Sequence, residues 1–324
     1  MQDRMQGDSK VLGLLYKAVF GSLFPLFEFA ARSFTRRERG LEICDQIMEA
    51  FIALRPKYLE AVKGNMAQVT GLHIDHPEVE RLAVQMVRQH AYAWLDFVWF
   101  GQRPPDAALA NVASLEGQDH LEAAVAEGKG AILLTAHAGN FELGGLLLRT
   151  RDMPVYAVYK PDRFEAVESL RSRLRAAAGV VGIPVSEGGF STLPLVKVLR
   201  EGQVVGMQGD RDFSLNGLPI PFCGREAYFP RGPWELAAMT GAPILPTFFF
   251  LDAEHRFHAR FGEPIRISGV RGERMQAIEA GMRAYVADLE RLVRQDPSQW
   301  YCFYPFWDDP ARADRGSAAR PAEA

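Results

Sequence analysis

The chain has 324 residues, 48% of them hydrophobic and 24% charged, and a formal net charge of −3. That supplies a sizeable core for one large domain or two modest ones, without the basic excess of a general nucleic-acid binder. Cys44, Cys223 and Cys302 lie far apart and the seven histidines form no HxH or HxxxH pair, so neither a zinc ribbon, a disulfide framework nor a locally built metal centre is expected.

The first forty residues differ from the rest. Val11 to Phe34 reads VLGLLYKAVFGSLFPLFEFAARSF, followed by Arg36, Arg37 and Arg39. Lys17, Pro25 and Glu28 interrupt it, so no clean run of about 20 apolar residues exists to span a bilayer. Asp3 and Asp8 offset Arg4 and Lys10, which fits a cleaved signal peptide poorly. Residues 1–40 read as an N-terminal helical, membrane-associating extension whose basic flank faces anionic head groups; a core helix is the alternative.

Residues 41–113 carry helical periodicity. Ile43, Ile47, Met48 and Phe51 predict a buried stripe, and Leu82, Met86, Ala93 and Phe97 predict a second helix after the turn at Gly71 to Pro77. Arg103-Pro104-Pro105-Asp106 breaks the pattern. From 114 to 308 short apolar runs, AILLTA (131–136), VYAVY (155–159), VVGMQ (204–208) and ILPTFFF (244–250), alternate with helix-like segments near 142–150, 164–178, 191–201 and 233–240. Continuous apolar strands alternating with helices predict an α/β fold, a mostly parallel sheet covered on both faces. The polar stretch at 309–324 reads as a disordered tail.

The densest chemistry follows the 131–136 strand. His137 falls at its carboxyl end, where open α/β sheets hold ligands. Gly139 and Asn140 form a turn, Asn140 is a natural helix cap, and Phe141 and Glu142 open the next helix. A strand–turn–helix corner can fold the Glu142 carboxylate back onto the imidazole, and such a pair serves a general base. A capped helix beside a core histidine accounts for the same H-x₄-E spacing. After the 204–208 strand comes GDRDF, where Asp210, Arg211 and Asp212 suit a head group or phosphate, Arg211 being the anion contact; a solvated turn is the alternative. Arg231-Gly232-Pro233 opens a helix whose N-terminus suits an anion. Lys160, Arg163, Arg171, Arg173 and Arg175 form either a site for an acidic carrier or phosphorylated head group, or a solvated helix face.

HAGNFE (137–142) resembles the H-x₄-(D/E) motif of the glycerolipid-type acyltransferases, in the form found in the late lipid A acyltransferases and the phosphatidylinositol mannoside acyltransferases. RPKYLEAVKGNM (55–66), GDRDFSLNGLPIPFCG (209–224), FPRGPWELAAMTGAPILP (229–246) and DPSQWYCFYPFWDD (296–309) follow in that branch's order, so the resemblance covers about Leu12 to Trp307. It departs from the glycerol-phosphate branch, whose FPEGTRS-type motif is replaced by FPRGPWE.

The resemblance implies a glycerolipid acyltransferase-like fold, His137 as base and Glu142 as its orienting acid. Asn140, Asp210, Arg211, Asp212 and Arg231 are then the substrate-contact candidates. It implies an acyl thioester on acyl carrier protein or coenzyme A as co-substrate, no further cofactor, a hydroxyl-bearing lipid acceptor, and work at the cytoplasmic face of a bacterial inner membrane. With no Ser or Cys nucleophile in the motif and no G-x-S-x-G elbow, direct transfer is expected. A lipid ester or thioester hydrolase using the same dyad, and a non-catalytic lipid-binding protein, are the competing readings.

Overall fold

The computed structural model describes residues 28–54, 59–149, 153–162, 164–185, 192–267 and 272–308. Most of the expected N-terminal extension, the 309–324 tail and Arg163 lie outside the described residues.

After a helical stretch at residues 28–33 come three helices: α1 (Arg37–Leu54), α2 (Leu59–Thr70) and α3 (Pro77–Phe100). His76 caps α3 by accepting from the Glu78 N–H at 3.2 Å, and Pro77 occupies the first turn, where its missing N–H costs nothing. The buried stripe of α1 is not the predicted one. Leu41 and Cys44 are buried and Met48 and Phe51 half-buried, but Ile43 and Ile47 stand 38% and 51% exposed. The rotation is set by Arg37. Its guanidinium is buried on Asp96 of α3 through bonds of 2.6 and 2.8 Å and stacks over Phe100. Leu41, Cys44 and Met48 share the Arg37 face of the helix, and the two isoleucines do not.

The short helix α4 (Pro105–Leu109) leads to β1 (Val112–Glu116). There follow α5 (Gln118–Ala126), β2 (Ala131–Thr135), α6 (Phe141–Arg149), β3 (Val155–Tyr159), α7 (Glu165–Ala177) and β4 (Val180–Pro184). The chain continues through α8 (Leu193–Arg200), β5 (Val204–Gln208), the hairpin β6 (Leu218–Phe222) and β7 (Arg225–Phe229), and α9 (Gly232–Thr240). It closes with β8 (Ile244–Leu251), β9 (Phe257–Phe261) and α10 (Arg274–Gln295). Seven strands form one sheet in the order β1-β9-β8-β2-β5-β3-β4. The pairs β8–β2, β2–β5, β5–β3 and β3–β4 are parallel; β9 runs antiparallel to β8, and β1 parallel to β9. The predicted α/β fold with a mostly parallel sheet is therefore present, and the antiparallel edge is the part the apolar runs did not announce.

Both faces are covered. Ile132, Leu134, Val205, Ile244 and Phe248 pack with residues of α8, α9 and α10, whereas Leu133, Val155, Val204 and Phe249 pack with Leu147 and Leu148 of α6. Neighbours along a strand point to opposite faces, so a strand buried on both reads as continuously apolar. The hairpin turns on Cys223 and Gly224, both at positive φ (51° and 83°), the conformation of a two-residue primed turn. Cys223 is held there by Glu290, which accepts its N–H at 2.8 Å, and by Gln68, which donates to its carbonyl at 2.8 Å. Among the described residues no helix is long and apolar enough to cross a membrane.

Candidate active site

β2 ends at Thr135, and His137 leaves the sheet between its neighbours β5 and β8. The turn is tightly fixed. Gly139 sits at φ 58°, and a Cβ there would fall 1.7 Å from the Phe249 carbonyl oxygen, so only glycine fits. Its N–H donates to the Gln299 carbonyl at 2.8 Å, the Asn140 N–H to the Phe249 carbonyl at 2.7 Å, and the Tyr301 N–H to the His137 carbonyl at 2.7 Å. Sheet and C-terminal segment together clamp this loop. Asn65 fastens that segment in turn, donating to the Cys302 and Tyr304 carbonyls at 3.1 and 2.8 Å.

The imidazole does not meet the carboxylate expected from the sequence. His137 Nδ1 lies 2.8 Å from Asp210 Oδ1, and its backbone N–H donates to Asp210 Oδ2 at 3.1 Å. Trp300 Nε1 donates to the same Oδ2 at 3.2 Å. Asp210 is 1% exposed. Burial opposes its charge, but His137 and Arg211 beside it outweigh that and hold its pKa down at about 2. An ionised carboxylate only accepts, so neutral His137 carries its proton on Nδ1 and keeps a free lone pair on Nε2. Burial, reinforced by the positive charge of Arg211, lowers the His137 pKa against the pull of Asp210, so the ring is neutral near pH 7.

Glu142, on the first turn of α6, is bound elsewhere. Its carboxylate accepts from Arg175 at 3.0 and 2.5 Å and from Arg171 at 2.9 Å. Burial again works against the charge, and the two guanidiniums more than compensate, so its pKa is lowered. The correction has a geometric cause: α7 delivers two arginines four residues apart, on one helical face, to the carboxylate of α6. Arg171 and Arg175 are thus no solvated face, whereas Arg173 of the same helix points outward to Glu28 at 3.0 Å.

His137, Glu142, Arg171, Arg175 and Arg211 all line one cavity of about 1110 Å³. Its rim is polar and cationic: four positive side chains, Lys160, Arg171, Arg175 and Arg211, face two carboxylates, Glu142 and Asp162. Deeper, between α6 and the sheet, the described lining turns apolar through Leu133, Leu148, Val155, Ala157 and Val180. Among the described residues, Arg171 Nε, Arg175 Nη1 and Arg211 Nε are buried without hydrogen-bond partners.

The remaining candidates fall outside this cavity's lining. Asn140 is buried and donates its side-chain amide to the Ala93 carbonyl at 3.4 Å, tying α6 to α3. Asp212 accepts from the Gly217 N–H and the Ser214 hydroxyl, each at 2.6 Å, and shapes the loop before β6. Arg231 pairs with Glu235 at 2.6 Å on α9. Trp300 was visible in the sequence only as part of DPSQWY; its bond to a residue 90 positions away could not be read from spacing. Among the described residues no group of His, Cys, Asp and Glu is arranged to hold a metal ion.

The family of bacterial lipid A biosynthesis acyltransferases matches residues 37–308. The chain belongs to that family. A phosphatidylinositol mannoside acyltransferase of Mycobacterium tuberculosis is 27% identical over 192 residues, 59% of this chain and 58% of that protein. A lipid A biosynthesis acyltransferase of Haemophilus influenzae is 28% identical over 186 residues, 57% of this chain and 55% of the relative. A lipid A biosynthesis palmitoleoyltransferase of Escherichia coli is 24% identical over 230 residues, 69% of this chain and 70% of the relative. The match to the first two thus spans less than two thirds of each relative's length.

Proposed function

We propose that this family member is an O-acyltransferase that moves a fatty acyl group from a thioester donor to a hydroxyl of a lipid acceptor. The observation that carries the proposal is the cavity itself. A neutral, carboxylate-held histidine stands where a cationic rim gives way to an apolar interior, which suits an amphiphile with its reactive carbonyl at the boundary. The names of the relatives point to the same chemistry.

In the proposed reaction Nε2 of His137 takes the proton of the acceptor hydroxyl as the oxygen attacks the thioester carbonyl. Asp210 orients the ring and stabilises the imidazolium that forms. The tetrahedral intermediate collapses with loss of the thiolate, which receives the proton from His137, leaving an ester and a free thiol. No acyl-enzyme is formed. Glu142 acts one step away, holding Arg171 and Arg175 at the rim, where their spare N–H groups and Arg211 suit the phosphate of a phosphopantetheine arm. That arm is common to acyl carrier protein and coenzyme A. The acceptor reaches the rim from the cytoplasmic face of the bacterial inner membrane.

The test supplies labelled acyl-coenzyme A and acyl carrier protein thioesters to the protein with total bacterial lipid in vesicles. A labelled lipid made by the native protein and lost in His137→Ala is the expected result. Label released only as free fatty acid would identify a hydrolase instead, and donor binding without turnover would leave a lipid-binding protein.

A further inference from the structure

The deep half of the cavity is built with a graded wall. On the face turned to α6 it is lined by Thr135 and Leu133 of β2, Tyr159, Ala157 and Val155 of β3, and Gln208 and Gly206 of β5, with Val158 and Met207 also contributing. Parallel register puts Leu133, Gly206 and Ala157 in one row, because Leu133 pairs with Gly206 and Ala157 pairs with Gly206. Val155 and Val180 are paired in the next row down, and both line the cavity. Beneath the middle row β2 and β5 offer Ala131 and Val204, which are buried and lie outside the lining.

Gly206 stands out within this wall. It belongs to a strand hydrogen-bonded on both sides, yet it is only half-buried, and the cavity is what it faces. Among the described residues, a Cβ built on it meets one atom, Val155 Cγ1, at an ordinary contact distance of 3.5 Å. The glycines of the opposite wall differ. A Cβ on Gly144 would lie 2.4 Å from the Phe249 ring, and one on Gly145 2.4 Å from Val180 Cγ2. Those two set how closely α6 lies on the sheet. Among the described residues, no packing contact requires a glycine at Gly206.

The depth can be read from the strands. At about 3.3 Å per residue, the Leu133–Gly206 row lies about 13 Å from His137 and the Val155 level about 20 Å. A zigzag chain of about 1.5 Å bonds at about 111° advances about 1.25 Å per bond. The middle row is therefore reached after about ten carbons and the Val155 level after about sixteen.

We infer that Gly206 is the opening through which the acyl chain passes to a floor made by Val155, and that this pair fixes the length of chain accepted. The inference rests on the acyl-transfer reading for its substrate class and adds the residues that select among substrates. A side chain on Gly206 closes the lower chamber; a smaller residue at Val155 deepens it.

The experiment measures binding of non-hydrolysable thioether analogues of acyl-coenzyme A, with 8 to 18 carbons, to the full-length protein. The same chain-length series is then run for transfer. Native protein is expected to favour about 14 to 16 carbons. Gly206→Val should lower the ratio of 16-carbon to 10-carbon affinity by tenfold or more, since one or two methylenes in an apolar pocket are worth about that much. Val155→Ala should move the optimum upward. Matching circular dichroism and melting temperatures establish that the variants fold. An unchanged length profile in folded Gly206→Val overturns the ruler, whatever the transfer assay gives. Native protein that binds the analogues but transfers no acyl group overturns the transferase reading while leaving the ruler standing.

Discussion

Two histidine–aspartate pairs occupy opposite parts of the sheet. In one, His137 Nδ1 meets Asp210 at 2.8 Å at the centre, beside β2 and β5. In the other, His258 of β9 meets Asp252 at 3.1 Å and Ser114 of β1 at 2.7 Å, at the antiparallel edge. By residue type alone the edge cluster is the more suggestive, since it contains a serine, a histidine and an aspartate in contact. Its surroundings decide otherwise. The His258 side chain is 40% exposed, neither residue lines the cavity, and Asp252 accepts from the Glu254 and Arg256 N–H groups at 3.0 and 2.8 Å. Asp252 is the hub of the turn between β8 and β9. The central pair is buried, its aspartate receives a tryptophan N–H, and its histidine opens on a large amphiphilic space. Contact among the right residue types is common; burial against a substrate-sized cavity separates a site from a turn.

That contrast sets the expected effects in order. His137→Ala should lower transfer by about 10²–10⁴-fold, the usual worth of a positioned base, measured as initial rates with saturating donor. Asp210→Asn should cost a comparable factor in kcat, because an amide can present its N–H to Nδ1 and fix the wrong tautomer. It should also change the acid side of the stability profile. The folded pKa of Asp210, about 2, lies below its ordinary 3.8, so its contribution is complete above about pH 4 and is lost as pH falls toward 2. Unfolding of the Asn variant should show less pH dependence in that window.

For the native protein, transfer requires neutral His137, whose pKa is lowered, so activity should fall on acidification with a midpoint below the ordinary 6.5 of histidine. Glu142→Gln leaves the buried Arg175 and the half-buried Arg171 without their counter-charge and should cost about 3 kcal/mol in denaturant unfolding, with a raised donor KM. The smallest effect belongs to the edge: His258→Ala should change stability by no more than about 1 kcal/mol and leave kcat unaltered.

The sheet was legible because burial on both faces writes an uninterrupted apolar run, as in AILLTA and ILPTFFF. The placement of His137 was legible for a related reason, since a strand end followed by Gly-Asn has few conformations open to it. Its partner was not. Which carboxylate reaches the imidazole depends on β5 lying beside β2 with Gln208 level with Thr135, and that pairing joins segments some 70 residues apart. The fate of Glu142 was hidden likewise, because its partners arrive on α7, whose charges read equally well as a solvated face. The stripe of α1 failed on a smaller scale: a buried arginine, which composition assigns to the surface, set the rotation of the helix.

The most direct test compares kcat, KM and the pH–rate profile for one acyl thioester in native, Asp210→Asn and Glu142→Gln proteins. If Asp210 is the direct partner of His137, the Asn variant loses kcat and shifts the acid midpoint, while the Gln variant keeps that midpoint and changes mainly KM. A Gln variant that loses kcat and shifts the midpoint, beside an Asn variant that does neither, would contradict the account and return the role of partner to Glu142.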